Sequence, residues 1–155
     1  MSGSSDSYDL NRFVQAQEHS YERALAEIRQ GEKVSHWIWY IFPQLEGLGS
    51  SPTTRRYSIK SLSEAEAYLN HPVLGSRLKE CAEAALAVEG ASAWAIFGSP
   101  DDMKLRSSAT LFALVSPPGS VFYMLLDKFF EGEPDRKTLG LLGRDDWDAI
   151  RGAMR

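Results

Sequence analysis

The sequence predicts an all-α fold: a multihelical single domain of about seven or eight helices around a short buried aromatic-rich helix. Three observations carry this reading. Apolar residues recur at steps of three and four along most of the chain, serine and aspartate caps alternate with glycine and proline stops, and a sheet has almost no material to form from. At 155 residues with a single cysteine, the chain is long enough to bury a core without disulfides or metal staples. Its 43% apolar and 25% charged residues are ordinary for a globular domain.

The first seven residues, "MSGSSDS", are small and polar and are expected to form a disordered N-terminal arm, with residues 8–155 as the single helical domain. Leu10, Phe13, Val14, Tyr21, Leu25 and Ile28 then define one stripe of a long helix, with Asp9 as its cap, Gly31 as its stop and Gln17 as the one polar residue on the stripe. "HWIWYIF" is apolar on both faces. Its one strand partner would be "RRYSIKSL", and a lone pair of strands is marginal, so a short buried helix capped by Ser35 is favoured.

Pro43 to Lys60 reads as a long loop. Beyond it, Ser61 with Glu64 and Ser63 with Glu66 form two overlapping capping boxes that start a short helix. His71-Pro72 introduces a second long helix that ends near Gly90, and Ser92 to Gly98 fits one more short turn. The next helix opens with Ser99 as cap, Pro100 at the first position and Asp101 and Asp102 complementing the dipole. Pro117-Pro118-Gly119 ends that helix, Ser120 begins the next, and Asp135 caps "RKTLGLL" before a last amphipathic piece carrying Trp147 and Ile150.

Charge and motifs narrow the function. A net charge of -4 argues against a broad phosphate-neutralising surface, so no nucleic acid is expected, while a local basic pocket is compatible with it. The chain lacks a long apolar run and a charged-then-apolar leader, which points to a cytoplasmic location and no membrane partner. Cys81 sits in an alanine-rich helical pattern and is read as structural. His19, His36 and His71 lack metal-ligand spacing, so no metal is expected, and without a Walker loop or nucleophile elbow no cofactor is assigned.

Candidate ligand-binding residues are polar groups set within apolar periodicity. Lys104, Ser107 and Ser108 share a side of the "KLRSS" helix, where an ammonium and two hydroxyls could meet an oxyanion or a phosphate. Lys33, His36 and Gln44 flank Trp37 and Trp39, whose rings can stack on a ligand or simply pack. Gln17 needs partners if buried, and the backbone of the aromatic segment is one source of them. The competing reading assigns all of these to scaffolding: solvated lysine, close-packing serines and core indoles.

"SHWIWYIFPQLEGLGSS", "IFGSPDDMKLRSSATLF" and "VFYMLLDKFFEGEPDRKTLGLL" resemble the bacterial domain-of-unknown-function family 1810 (DUF1810), and the likeness extends from Tyr8 to Leu142. That resemblance implies a small multihelical fold and no particular activity. "RFVQAQ" is also similar to a helix of the NADAR proteins, which resemble enzymes cleaving N-glycosidic bonds to ADP-ribose-type compounds. There the glutamate-histidine pair precedes the motif; here Glu18 and His19 follow it, so no catalytic residue is carried over. The expectation is a pocket between residues 33–49 and the helix at 100–115 for a small polar or phosphorylated metabolite, with or without catalysis. The alternative is a protein-interaction module or homodimer.

Overall fold

The structure, a computed structural model, describes residues 6–154, and among them it has eleven helices and no strand. The count exceeds the expected seven or eight in part because one apparent helix is divided and the expected loop holds a short helix. The stripe from Leu10 to Ile28 forms two helices, α1 (Asn11–Gln17) and α2 (Tyr21–Gln30). Between them Glu18 N–H donates to Gln15 O and Ser20 N–H to Gln17 O, a tightened turn that a periodic pattern does not reveal.

The cap of α1 is Asp6, whose carboxylate accepts from Leu10 N at 2.6 Å and Asn11 N at 3.1 Å. Asp9 was the expected cap; it instead takes a left-handed backbone with φ 54°. Of the expected arm, residues 1–5 lie outside the described residues, while Asp6 is tied to the helix start. Gly31 closes α2 in the left-handed conformation (φ 81°), as a glycine stop should.

The aromatic segment does form a short helix, α3 (Ile38–Ile41), flanked by Trp37 and Phe42, all four of these residues being buried. Ser35 does not cap it. A carboxylate from α2 takes over the organising role: Glu27 accepts from Val34 N, Ser35 N, Ser35 Oγ and Trp37 Nε1 at 2.7–2.9 Å. Burial alone would raise the pKa of Glu27, but these four hydrogen bonds prevail and hold it at about 2.

The expected loop contains α4 (Pro52–Arg56), begun by Ser51, whose hydroxyl accepts from Thr54 N. On either side of this helix the chain pairs through an isolated parallel bridge between Leu45 and Ile59. "RRYSIKSL" therefore does find an extended partner, but in the residues just after α3.

Of the two overlapping boxes, the first starts α5 (Leu62–Asn70), with Ser61 Oγ accepting from Glu64 N. The Glu64 carboxylate accepts from Lys60 N and from the Arg12 guanidinium. α6 (Leu74–Ala87) follows an elbow in which His71 Nδ1 accepts from Val73 and Leu74 N–H groups. Gly75 sits so close to α5 that an added Cβ would lie 2.0 Å from Leu69 O.

The remaining helices are α7 (Ala93–Phe97), α8 (Asp101–Ala113), α9 (Val121–Phe130), α10 (Arg136–Leu141) and α11 (Trp147–Ala153). Asp135 caps α10 as expected, and the turn expected from Ser92 to Gly98 is α7, capped by Ser92, whereas α8 starts after Pro100 with no side-chain cap, so Ser99 is not the cap expected of it. α8 packs along α9, α6 packs against α2, α5 and α9, and α3 touches α1, α6 and α8. A chain of rings, Phe13–Tyr68–Phe112–Phe122, with centroids 5.0, 5.4 and 5.7 Å apart, joins α1, α5, α8 and α9 through the core. Such pairs are each worth roughly 0.5–1.5 kcal/mol beyond area burial.

Cys81 is wholly buried, and burial pushes its thiol up to about 12, which keeps it protonated and unreactive.

Two outcomes follow from these contacts. Glu27→Gln places an amide against four donors and should lower unfolding free energy by about 3 kcal/mol, measured by urea denaturation with tryptophan fluorescence. Because the folded pKa of Glu27 lies below its usual 4.5, its contribution is present above that pH and is lost as pH falls toward 2; the variant should lack this part of the acid transition. Gly75→Ala should cost about 2 kcal/mol or more, since either α5 or α6 must shift.

Candidate functional site

Two of the segments singled out by sequence do meet. Lys33 Nζ pairs with Asp101 Oδ2 at 2.7 Å and donates to Ser35 O at 2.6 Å, with its ammonium 4.9 Å from the Trp37 ring centroid. Lys104 Nζ lies 3.6 Å from the other Asp101 oxygen and 5.3 Å from the Trp39 ring. Asp101, at the first turn of α8, thus gathers both lysines beside both indoles. Lys33 is held by a carboxylate, a carbonyl and a ring at once, and its backbone N–H donates to Ile96 O, so it locks the segment before α3 onto α7 and α8.

The other candidates go elsewhere. Gln17 is buried, donating to Tyr40 O at 2.7 Å and to Tyr68 Oη at 3.2 Å and accepting from Arg77 at 3.3 Å, which supplies the backbone partner expected of it. Ser107 Oγ donates to Met103 O one turn back. Ser108 is buried on the same helix, and its Oγ has no hydrogen-bond partner among the described residues. Gln44 accepts from Ile59 N through its backbone carbonyl, and its residue lines a narrow crevice with Trp39 and Tyr57. His36 is exposed at the edge of a separate hollow of about 390 Å³ shared with Arg23, Ser20 and Tyr40. Glu18 and His19 are exposed on the turn after α1.

A larger hollow, about 690 Å³, lies where the start of α1, α4 and the start of α5 come together. Its lining includes four cations, Arg12, Arg55, Arg56 and Lys60, and two carboxylates, Asp9 and Glu64. Arg12 and Glu64 belong to the scaffold. Every N–H of the Arg12 guanidinium is engaged: Nε with Arg56 O, one terminal nitrogen with Tyr8 O and Asp9 O, the other with Ser58 O and Glu64 Oε2, at 2.6–2.8 Å.

Above that pair the charges are less committed. Arg55 and Arg56 are exposed and form no ion pair among the described residues; Arg56 lies over the Tyr57 ring at 5.5 Å. Lys60 reaches Glu46 only at 3.7 Å, with both side chains largely exposed. Ser7 and Ser61 add hydroxyls to the lining. A hollow with two unpaired guanidinium groups and an ammonium is suited to an anion, which planar guanidinium can grip through two parallel hydrogen bonds.

Sequence reasoning assigned no binding role to Arg12, Asp9, Arg55, Arg56 or Lys60. The adjacent arginines are the available signal, but their segment reads from sequence as a long loop or a possible strand partner, and neither reading singles them out. The acidic net charge allowed for a local basic pocket without locating it.

Comparison with curated proteins gives no significant match. Among solved structures, the chain is similar to the conserved hypothetical protein Rv1873 from Mycobacterium tuberculosis. The two share 51% identity and superpose with a TM-score of 0.85 over 87% of this chain and 96% of that one. A family model described as a protein of unknown function (DUF1810) matches residues 7–142. With that match spanning most of its length and the same helical architecture in a half-identical structure, the chain belongs to the DUF1810 family.

Proposed function

We propose that the protein binds a small anionic metabolite, phosphorylated or carboxylated, in the hollow formed by α1, α4 and α5. The observation that supports this most is the pair of uncommitted guanidinium groups, Arg55 and Arg56, lining the same hollow as Lys60 in a chain of net negative charge. Placing like charges side by side is unfavourable without a counter-charge, and a bound anion would supply one. The buried Arg12–Glu64 pair beneath fixes the backbone that carries them, so the site would be largely formed before a ligand arrives. This is a binding role, and no reaction is assigned to it.

A second reading keeps the region between residues 33–49 and α8 as the pocket. Ser108 Oγ, buried without a partner, supports it, together with Lys104 placed over Trp39. A buried hydroxyl left unsatisfied costs about 1–3 kcal/mol, and a ligand oxygen would relieve that cost.

The two readings separate in calorimetric titration with inorganic phosphate and a panel of sugar phosphates and nucleotides. Replacing both Arg55 and Arg56 with alanine should weaken phosphate binding at least about tenfold, while unfolding free energy changes by less than about 1 kcal/mol, as expected for exposed side chains. Unchanged affinity in that variant would sink the first reading. Ser108→Ala should stabilise the ligand-free protein by about 1 kcal/mol; if it also leaves binding of every panel member unaltered, the second reading fails.

A further inference from the structure

We propose that the ligand of the arginine-lined hollow is a phosphate ester carrying a vicinal diol, with Asp9 as the acceptor for the diol; this rests on the anion-binding reading above. The hollow holds opposite charges that do not neutralise each other. The Asp9 carboxylate forms no hydrogen bond and no ion pair among the described residues, although Arg55, Arg56 and Lys60 line the same space. Its backbone, though not its side chain, is fixed at both ends, which sets where the carboxylate enters the hollow. Asp9 N–H donates to Asp6 O, Asp9 O accepts from Arg12 N and from the Arg12 guanidinium, and φ is held at 54°. A carboxylate on fixed backbone, lining the same hollow as the two arginines that form no ion pair among the described residues, makes a two-ended site, and a ligand that bridges the ends gains from both.

The chemistry of each end narrows the class. Two guanidinium groups and an ammonium match the double charge and three oxygens of a phosphate monoester better than a single carboxylate. At the other end, a carboxylate accepts only, so its partner must donate: an ammonium or hydroxyl groups. The lining carries four cations against two carboxylates, an excess that a phosphate dianion already balances, so an added ligand ammonium would leave the site with surplus positive charge. Two adjacent hydroxyls add no charge and can each donate to one carboxylate oxygen. A volume of about 690 Å³ is sufficient for a pentose or hexose phosphate up to a mononucleotide.

The test is calorimetric titration of the full chain with inorganic phosphate, ribose 5-phosphate, 2-deoxyribose 5-phosphate and phosphoethanolamine, repeated with Asp9→Asn. Asparagine tolerates the left-handed backbone and keeps one acceptor oxygen while adding a donor. The wild-type protein should bind ribose 5-phosphate about tenfold or more tighter than the deoxy sugar or the amine ester, the scale of a charge-assisted hydrogen bond. D9N should erase that preference and leave inorganic phosphate affinity within about twofold. Equal wild-type affinity for the three esters, a preference for phosphoethanolamine, or a preference that survives D9N each overturn the diol assignment. If inorganic phosphate still binds and still depends on Arg55 and Arg56, only the diol assignment has fallen. If no member of the series binds the wild-type protein, the anion site itself is wrong and this inference goes with it. The comparison among ligands on the wild-type chain decides the matter even if the variant fails to fold.

Discussion

The Arg12 guanidinium is the constraint on which one side of this molecule is organised. Its five N–H groups reach the backbone before α1, the last residue of α4, the residue before Ile59 and the Glu64 carboxylate of α5. A buried cation must have its charge and its donors answered, and here one carboxylate and four carbonyls do so. The carbonyls come from the residues just before α1 and from the end of α4 and the residues after it, so one side chain ties these two stretches to each other and to α5. The same stretches carry Asp9, Arg55, Arg56 and Lys60, which is why the hollow has a rigid floor beneath uncommitted charge.

Glu27 performs the mirror-image service at the entry to α3. It is an anion answered by two backbone N–H groups, a hydroxyl and an indole, and it sets the entry into the aromatic helix. Lys33 and Asp101 then bind that entry to α8. The aromatic segment is therefore held by polar contacts at its start and by burial of Trp37, Ile38, Ile41 and Phe42 along its length. Rings next to lysine, serine and histidine, odd as a sequence, make sense as a core insert whose polar neighbours are fasteners.

This arrangement explains why polar residues within apolar periodicity were an incomplete guide to a site. Gln17, Lys33 and Ser107 sit where a ligand-contact argument would place them, and each has its hydrogen-bonding capacity met by protein. Ser108 is the exception among the described residues. The charges that lack partners among the described residues lie instead on α4, which local patterning read as loop, and at Asp9, which it read as a helix cap.

The sequence by itself determined the helical class, the short aromatic helix, the stop at Gly31, the short turn from Ser92 to Gly98 and the caps at Ser61 and Asp135. These depend on interactions reaching no farther than three or four residues, and one strand of text records them completely. Tertiary structure decided that the first stripe would break at Gln17, that Asp6 and not Asp9 would cap α1, and that Ser35 would serve Glu27. It also decided which charges were matched: Lys33 met Asp101 and Arg12 met Glu64, while Arg55 and Arg56 met none among the described residues. Pairing of charges remote along the chain follows from where packing brings them, and spacing holds no record of that.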